Sequence, residues 1–418
     1  MVSDGVPVTA ALMRQAYVVS LSHIPRDGRV LRQIKCLTQM GWTVTAIGLS
    51  GETLAAGSAP ERIADGVRHL MVPPPRWTAA EKRRAGLDLL VGMANPSNSA
   101  ARARALRLPA VADLTSCLMD ALAVRDRSAH ALVIANDWMT LPAALATQER
   151  SSIPFHYDSH ELAVAEHESD PRWRLLFPPT IAKIERLGIA RARSVSTVSH
   201  GIARDMQVRY GLAGAPVVIR NVPDSVPLAP RPVGAHINVL YHGLFKSDRG
   251  LLGLIDSVSE WPDAFRLTLR GWAPQPAFEA RLRDRVRRSN VSDRIDVVSG
   301  VPPDAVIAVA HSADIGIFVP DLSSLQNRYA LPNKLFEYIH AGLAVVVPAG
   351  TDMAQFVREH ACGLVLDEAA PARLACAFRA LNREQITSYK VAAHRAALQA
   401  SWAVESERLG RLLAQGKA

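Results

Sequence analysis

Apolar positions along this chain alternate between two patterns, and the alternation defines its class. Short unbroken runs rich in β-branched residues read as strands buried on both faces, and the stretches between them place apolar residues three and four apart, as amphipathic helices do. The first pattern predicts strands over 17–21, 43–47, 132–135, 155–157, 195–198 and 217–220. A helix is expected over 29–40, with Val30, Leu31, Ile34 and Leu37 on one face. Strand, loop, helix, strand is the opening of a parallel, doubly wound domain. Residues 1–15 read as a leader without pattern.

Four prolines between 222 and 236 (Pro223, Pro227, Pro230 and Pro232) interrupt this order and predict a connector. The same order then restarts. Strands are expected over 237–241, 266–270, 295–298 and 315–319, a polar loop over 242–250 and a helix over 251–258. The division is therefore 1–221, a linker 222–236, a second domain 237–395, and a terminal helix 396–418. Leu398, Trp402, Leu409 and Leu413 mark one face of that last helix, which is expected to pack back toward the first domain. The fold class is α/β, with two Rossmann-like domains facing a central cleft, a favoured place for ligands.

The densest stretch is 331–348. Pro332 suits the first helical position, because its missing N–H would be unpaired there anyway, and Gly342 suits the left-handed stop. Leu335, Phe336 and Ile339 share the packing side, and Asn333 and Glu337 share the other. A helix N-terminus with Lys334 in its first turn invites an anion. Glu337, one turn on, offers a carboxylate that accepts from two neighbouring hydroxyls, as on a ribose. An ordinary amphipathic helix with a surface Glu and Lys is the plainer reading of the same residues.

Other loops at strand ends carry candidate chemistry. Residues 242–250 set Gly243 directly after a strand, with Lys246 and Arg249 before the next helix; this suits phosphate oxygens, since glycine admits close backbone approach and arginine binds in a fork. The first loop carries Asp27-Gly28, a turn corner or a ligand contact. Asp137, then Asp158, His160 and Glu161, follow two strands, and His160 reads as a polar contact, a proton carrier or a cap.

Composition narrows the function classes. The chain has 418 residues, 49% hydrophobic, with a net charge of +9, so its surface favours anionic partners. Aromatics make up only 6% and no basic tract interleaves with them, which argues against nucleic acid. Cys36, Cys117, Cys362 and Cys376 are scattered, giving no disulfide framework or metal motif and suiting a reducing cytoplasm. No secretion signal or spanning run is expected. Neither G-x-G-x-x-G after the first strand nor a P-loop is present; residues 48–52 lack the last glycine of a nucleophile elbow, and Val164 stands where a zinc protease needs histidine.

One segment points to a surface. From Arg76 to Arg107 seven cations (Arg76, Lys82, Arg83, Arg84, Arg102, Arg104, Arg107) face only Glu81 and Asp88, with Trp77 and several leucines between them. This reads as a contact with an anionic membrane or as a solvated helical face.

Taken together and in order, several motifs resemble one family, the GT-B glycosyltransferases, and within it the retaining, family 4 type. They are Arg29-Val30-Leu31-Arg32, Tyr157-Asp158-Ser159-His160-Glu161-Leu162, Val218-Ile219-Arg220-Asn221-Val222-Pro223, Tyr241-His242-Gly243 with Arg249-Gly250, and Leu331-Pro332-Asn333-Lys334-Leu335-Phe336-Glu337-Tyr338 with Ala341-Gly342. The resemblance implies a nucleotide-diphosphate sugar donor, a UDP-sugar first, held mainly by the second domain, an acceptor held by the first, and no bound metal. It implies that Arg249 balances the donor diphosphate, Glu337 meets the ribose, His160 lies beside the transferred sugar and Gly28 closes on the diphosphate or acceptor; Gly243, Lys246, Asn333 and Lys334 are the further donor-binding candidates, Lys246 or Lys334 standing in for the cation absent at Leu244. Asp158 and Glu161, with Asp137, would position groups rather than deprotonate them.

Two positions depart from the family pattern: Tyr329 stands where a glutamate is frequent, and Leu244 where a cation is. The expected role is synthesis of a cell-surface polysaccharide or glycoconjugate, at the inner face of the membrane. A nucleotide-sugar epimerase on the same fold and an inactive glycosyltransferase-like partner subunit are the rival readings.

Overall fold

The structure is a computed structural model that describes residues 14–51, 63–74, 102, 108–127, 129–168, 170–367 and 371–415. The basic stretch 76–107 therefore lies outside the described residues except for Arg102, which forks onto Glu149. By its contacts the chain forms two compact units, Met1–Thr197 with Arg408–Ala418, and Val198–Glu407.

In the first unit the strands are β1 (Arg14–Val19), β2 (Thr43–Leu49), β3 (Arg68–Val72), β4 (His130–Asn136), β5 (Phe155–Ser159) and β6 (Ser194–Thr197). They lie in the order β3-β2-β1-β4-β5-β6, and each neighbouring pair is parallel. Val18, Val19, Ile134 and Tyr157 are wholly or almost wholly buried, as strands covered on both faces require. The first strand starts and ends earlier than the pattern predicts. Ser20 and Ser22 serve the loop instead: Ser22 Oγ donates to Asp27 Oδ2 at 2.7 Å, and Asp27 Oδ1 caps Val30 N of the helix Gly28–Gln39.

The second unit opens with the helix His200–Tyr210 and the two-residue strand β7 (Val217–Val218), and has no helix or strand between 219 and 236. Its sheet follows: β8 (Ile237–Leu244), β9 (Phe265–Trp272), β10 (Ile295–Ser299), β11 (Ile315–Ile317), β12 (Ala344–Pro348) and β13 (Gly363–Leu366). The order is β10-β9-β8-β11-β12-β13, again parallel. Each sheet thus has a switch point, beside β1 and β4 in one and beside β8 and β11 in the other, and loops that follow strands at a switch point are where such sheets hold ligands.

Two local expectations change. Pro332 is extended, with φ −72° and ψ 151°, so it caps the helix Asn333–His340 from outside rather than starting it. The C-terminal region is two helices, Arg383–Gln399 and Trp402–Gln415, because the backbone breaks at Ala400 with φ −109° and ψ 59°. That break takes Leu398 off the packing stripe, leaving it 56% exposed, while Trp402, Leu409 and Leu413 stay buried. From Arg408 onward the last helix counts with the first unit.

Candidate functional site

The second unit builds a cationic seat at the carboxyl end of β8. Gly243 adopts φ +118°, and a Cβ there would stand 3.2 Å from Lys334 Nζ, so glycine lets the ammonium come up to the backbone. Lys334 Nζ lies 4.2 Å from the centre of the Tyr241 ring and 4.1 Å from that of Phe318, and donates to Tyr241 Oη at 3.2 Å. This aromatic box holds a cation by ring quadrupoles rather than by a counter-ion. Burial pulls the Lys334 ammonium down, Arg249 adds to the pull, Glu337 opposes it, and the result is about 7. Lys334 thus gives the helix less than the full charge that the sequence predicts, with its proton poised near neutrality.

Arg249 belongs to the same seat. Its guanidinium sits 5.6 Å over the Phe318 ring and its Nη1 donates to Asn327 Oδ1 at 3.3 Å. Gly250 follows with φ +70°, and any Cβ there would run into Val319 O, so the loop is seated against the chain leaving β11. Lys246 and Asn333 are exposed at the margins; Lys246 presents its carbonyl to Arg249 N at 3.2 Å, and Asn333 opens the helix.

Glu337 stands one turn along that helix, on the side opposite Leu335, Phe336 and Ile339, which are buried. Its Oε2 lies 2.9 Å from His242 Nε2, and a quarter of its side chain is exposed. His242 stacks on Tyr338, with ring centres 4.6 Å apart, and its backbone N–H donates to Tyr338 Oη at 3.1 Å. Gly316 makes room for this, because a Cβ there would strike the Tyr338 ring. Glu337 is thus an orientated, partly open carboxylate whose remaining lone pairs suit ligand hydroxyls.

The first unit carries a second cluster where β4 and β5 end. Asp158 is fully buried; Arg29 donates to it twice at 2.7 Å, and Gln33 and Ser196 also donate to it. Burial alone would raise its carboxyl, but Arg29 and His160 outweigh that and hold it well below the usual carboxylate range. His160 lies between acceptors: Nδ1 is 3.2 Å from Asp137 Oδ2, and Nε2 is 3.1 Å from Asp158 Oδ2 and 2.9 Å from Asn136 Oδ1. Burial would depress the imidazole, yet Asp137 and Asp158 push it up to about 9. With both ring nitrogens facing acceptors and that pKa, His160 is a fixed imidazolium at neutral pH and not the neutral-pH proton carrier its type alone suggests.

The supports of this cluster are strained on one side. Asp137 has φ +63° and ψ 160°, a region almost restricted to glycine, and burial raises its carboxyl while His160 lowers it. The His160 backbone N–H donates to Asp137 Oδ1 at 2.9 Å, which holds the strained residue in place. Glu161 is exposed next to the cluster, and Ser159 Oγ donates to its carbonyl at 2.9 Å. Gly28 is exposed at the start of its helix, where a Cβ would come within 3.2 Å of Arg32 Nη1.

Of the residues singled out in the sequence, Gly243, Arg249, Lys334 and Glu337 form one group in the second unit, and Asp137, Asp158 and His160 another in the first. Sequence reasoning missed Tyr241, Phe318 and His242 as partners of Lys334 and Glu337. Tyr241 and His242 stood in a motif of the resemblance and Phe318 in a buried strand, but nothing in the sequence joined them to Lys334 and Glu337. It also missed that Arg29 and Gln33, four apart on one helix, both serve Asp158. Tyr329 packs on Gly201: a Cβ on that glycine would stand 2.6 Å from its ring.

Residues 236–384 match the family described as Glycosyl transferases group 1. The fold is shared with sucrose-phosphate synthase from Thermosynechococcus elongatus, at TM-score 0.72 and 16% identity over 96% of this chain and 98% of that one. It is shared equally with HepE of Anabaena, solved with UDP, at TM-score 0.69 and 13% identity over 96% and 100%. A third structure, described as trehalose-6-phosphate from E. coli bound with UDP-2-fluoro glucose, aligns at TM-score 0.64 and 12% identity over 96% and 99%. No curated protein matches the chain by sequence. The fold is therefore that of the GT-B glycosyltransferases, and the segment 236–384 is similar to the group 1 glycosyl transferases.

Proposed function

We propose that this chain transfers a sugar from a nucleotide-diphosphate sugar to an acceptor hydroxyl, with retention and without a bound metal. The observation that carries this reading is the convergence of Gly243, Lys334, Arg249 and Glu337 at one strand end: a phosphate seat and a hydroxyl-binding carboxylate on one helix and its neighbouring loop. Breaking the sugar–diphosphate bond develops negative charge on the leaving group. Arg249 and the N-terminal N–H groups of the helix Asn333–His340 stabilise that charge as a fixed cation and dipoles, and Lys334 joins them as the diphosphate draws its proton on. His160, an imidazolium at neutral pH held by Asp137 and the buried Asp158, is the first unit's candidate for contact with the transferred sugar.

The proposed donor is a UDP-sugar, supported by the UDP in HepE and the UDP-2-fluoro glucose in the E. coli structure. The acceptor belongs to a cell-surface polysaccharide or glycoconjugate and is presented at the inner face of a membrane, where residues 76–107 meet anionic lipid. Among the described residues no helix is long and apolar enough to cross a membrane. Indifference of the purified protein to anionic vesicles at low salt would remove the membrane part of the proposal.

The test is thermal stabilisation by UDP, GDP and ADP, followed by hydrolysis and transfer assays with the matching UDP-sugar, since a ligand bound only by the folded state raises apparent stability. The reading expects stabilisation by one of them and turnover that His160→Ala slows more than it weakens donor binding. Tyr329 and Leu244, at positions where the family has charged groups, favour an inactive partner subunit as the second reading. Donor binding with neither hydrolysis nor transfer selects it.

A further inference from the structure

Three neighbouring strands of the second sheet reach their carboxyl ends in glycine. Gly243 of β8 pairs with Gly271 of β9 one residue before both strands end, Ser299 of β10 pairs with Gly271, and Gly300 N donates to Gly271 O at 3.0 Å. The glycines are required by space: a Cβ on Gly271 would run into Gly243 O, and one on Gly300 would press within 3.3 Å of Trp272 Cδ1. The result is a strip of three glycines about two strand spacings, roughly 10 Å, across, with the Phe245 ring beside its middle member. It begins at the residue that faces Lys334.

Trp272 stands at the edge of that strip. It ends β9 opposite Leu244, its carbonyl accepts from Phe245 N at 2.9 Å, and its side chain is 57% exposed. Isolated exposed leucines or valines need no explanation, but an indole offers the largest apolar face of any side chain and here adjoins the glycine shelf, where Phe245 Cε1 comes within 3.0 Å of the place a Gly271 Cβ would take. The phosphate seat at Gly243, Lys334 and Arg249 adjoins one end of the same strip.

We propose that Trp272 is the stacking platform for the nucleobase of the donor, with Gly271 and Gly300 as the floor of that subsite; this rests on the nucleotide-sugar reading above. Stacking depends on a π-face that every base has, so Trp272 contributes affinity, and the backbone edges of the strip are left to choose among bases.

The experiment is calorimetric titration of the full chain with UDP and, separately, with inorganic pyrophosphate, using wild type, Trp272→Ala and Trp272→Phe. The expected result is about tenfold weaker UDP binding in Trp272→Ala with pyrophosphate unchanged, and recovery to within about threefold in Trp272→Phe. Thermal melting of the free variants shows that both are folded. Unchanged UDP affinity in Trp272→Ala overturns the proposal while leaving the donor reading in place, and an equal loss of UDP and pyrophosphate overturns it by assigning Trp272 to the phosphate seat. A wild-type chain that binds none of UDP, GDP and ADP overturns both.

Discussion

His160 and Asp137 hold each other at two points: the His160 backbone N–H donates to Asp137 Oδ1 at 2.9 Å, and the imidazole Nδ1 lies 3.2 Å from Oδ2. The first contact fixes a backbone that is strained at φ +63°, and the second fixes a charge. An imidazolium between Asp137 and the buried Asp158 is positioned before any ligand arrives, and such preorganised charge loses nothing to reorganisation during reaction.

The charge of His160 has a consequence for stability against pH. Its folded pKa, about 9, lies above the ordinary imidazole value of 6.5, so the folded state binds the proton more tightly. The contribution is fully present below about pH 6.5 and is lost as pH rises through about 9. Lys334 acts with the opposite sign: its folded pKa is depressed to about 7, so its charging opposes the folded state at lower pH. Urea unfolding from pH 6 to pH 9.5 is therefore expected to show a stability difference between wild type and His160→Gln that shrinks toward alkaline pH. A difference independent of pH would mean that His160 is neutral.

Strain at Asp137 can be separated from its charge. Asp137→Ala and Asp137→Gly both lose the carboxylate, but only glycine adopts φ +63° with ψ 160° at little cost. Asp137→Gly is expected to be more stable than Asp137→Ala by about 1–2 kcal/mol, against the usual order, in which alanine is favoured through the unfolded chain. Denaturant midpoints at equal slope measure it, and an alanine variant as stable as the glycine one would show that the backbone relaxes there.

The alternation of buried runs and amphipathic stretches made both sheets legible, because a parallel strand covered on both faces has no other way to read. The helix at 333–340 and the left-handed Gly342, at φ +73°, were legible for similar local reasons. What surrounds the charges was not. Lys334 looks like any first-turn lysine until the fold brings Tyr241 and Phe318, 93 and 16 residues away in sequence, against its ammonium. Asp158 and His160 looked alike as candidates, yet only the three-dimensional arrangement seals the first under Arg29 and leaves the second 15% exposed. The break at Ala400 was hidden because alanine carries no helix-stop signal.

Lys334 makes donor binding depend on pH. Near its pKa of about 7 the free site is partly uncharged, and a bound diphosphate favours the ammonium, so binding takes up a proton. Affinity for UDP is expected to fall by up to about tenfold per pH unit between pH 7.5 and 8.5. Titrations in buffers of different ionisation enthalpy are expected to reveal the uptake. Lys334→Met abolishes both effects and weakens binding about tenfold or more at pH 7, as loss of a charge-assisted contact does. A flat pH profile in wild type would remove Lys334 from the diphosphate.

Glu337 carries the sharpest consequence of the proposed donor site. Its carboxylate is oriented by His242 at 2.9 Å and is otherwise open enough to accept hydroxyls, so its value to a ligand lies in hydrogen bonds to a charged acceptor. Such bonds contribute about 1.5–3 kcal/mol each, so Glu337→Ala is expected to weaken UDP binding by about tenfold to a hundredfold. Glu337→Gln keeps one acceptor oxygen but loses the charge, and it falls between the two. Pyrophosphate, which has no ribose, is expected to bind all three proteins alike, separating a ribose contact from general damage to the helix. Equal affinity of wild type and Glu337→Ala for UDP would take the nucleotide away from this helix, and with it the central residue of the proposed donor site.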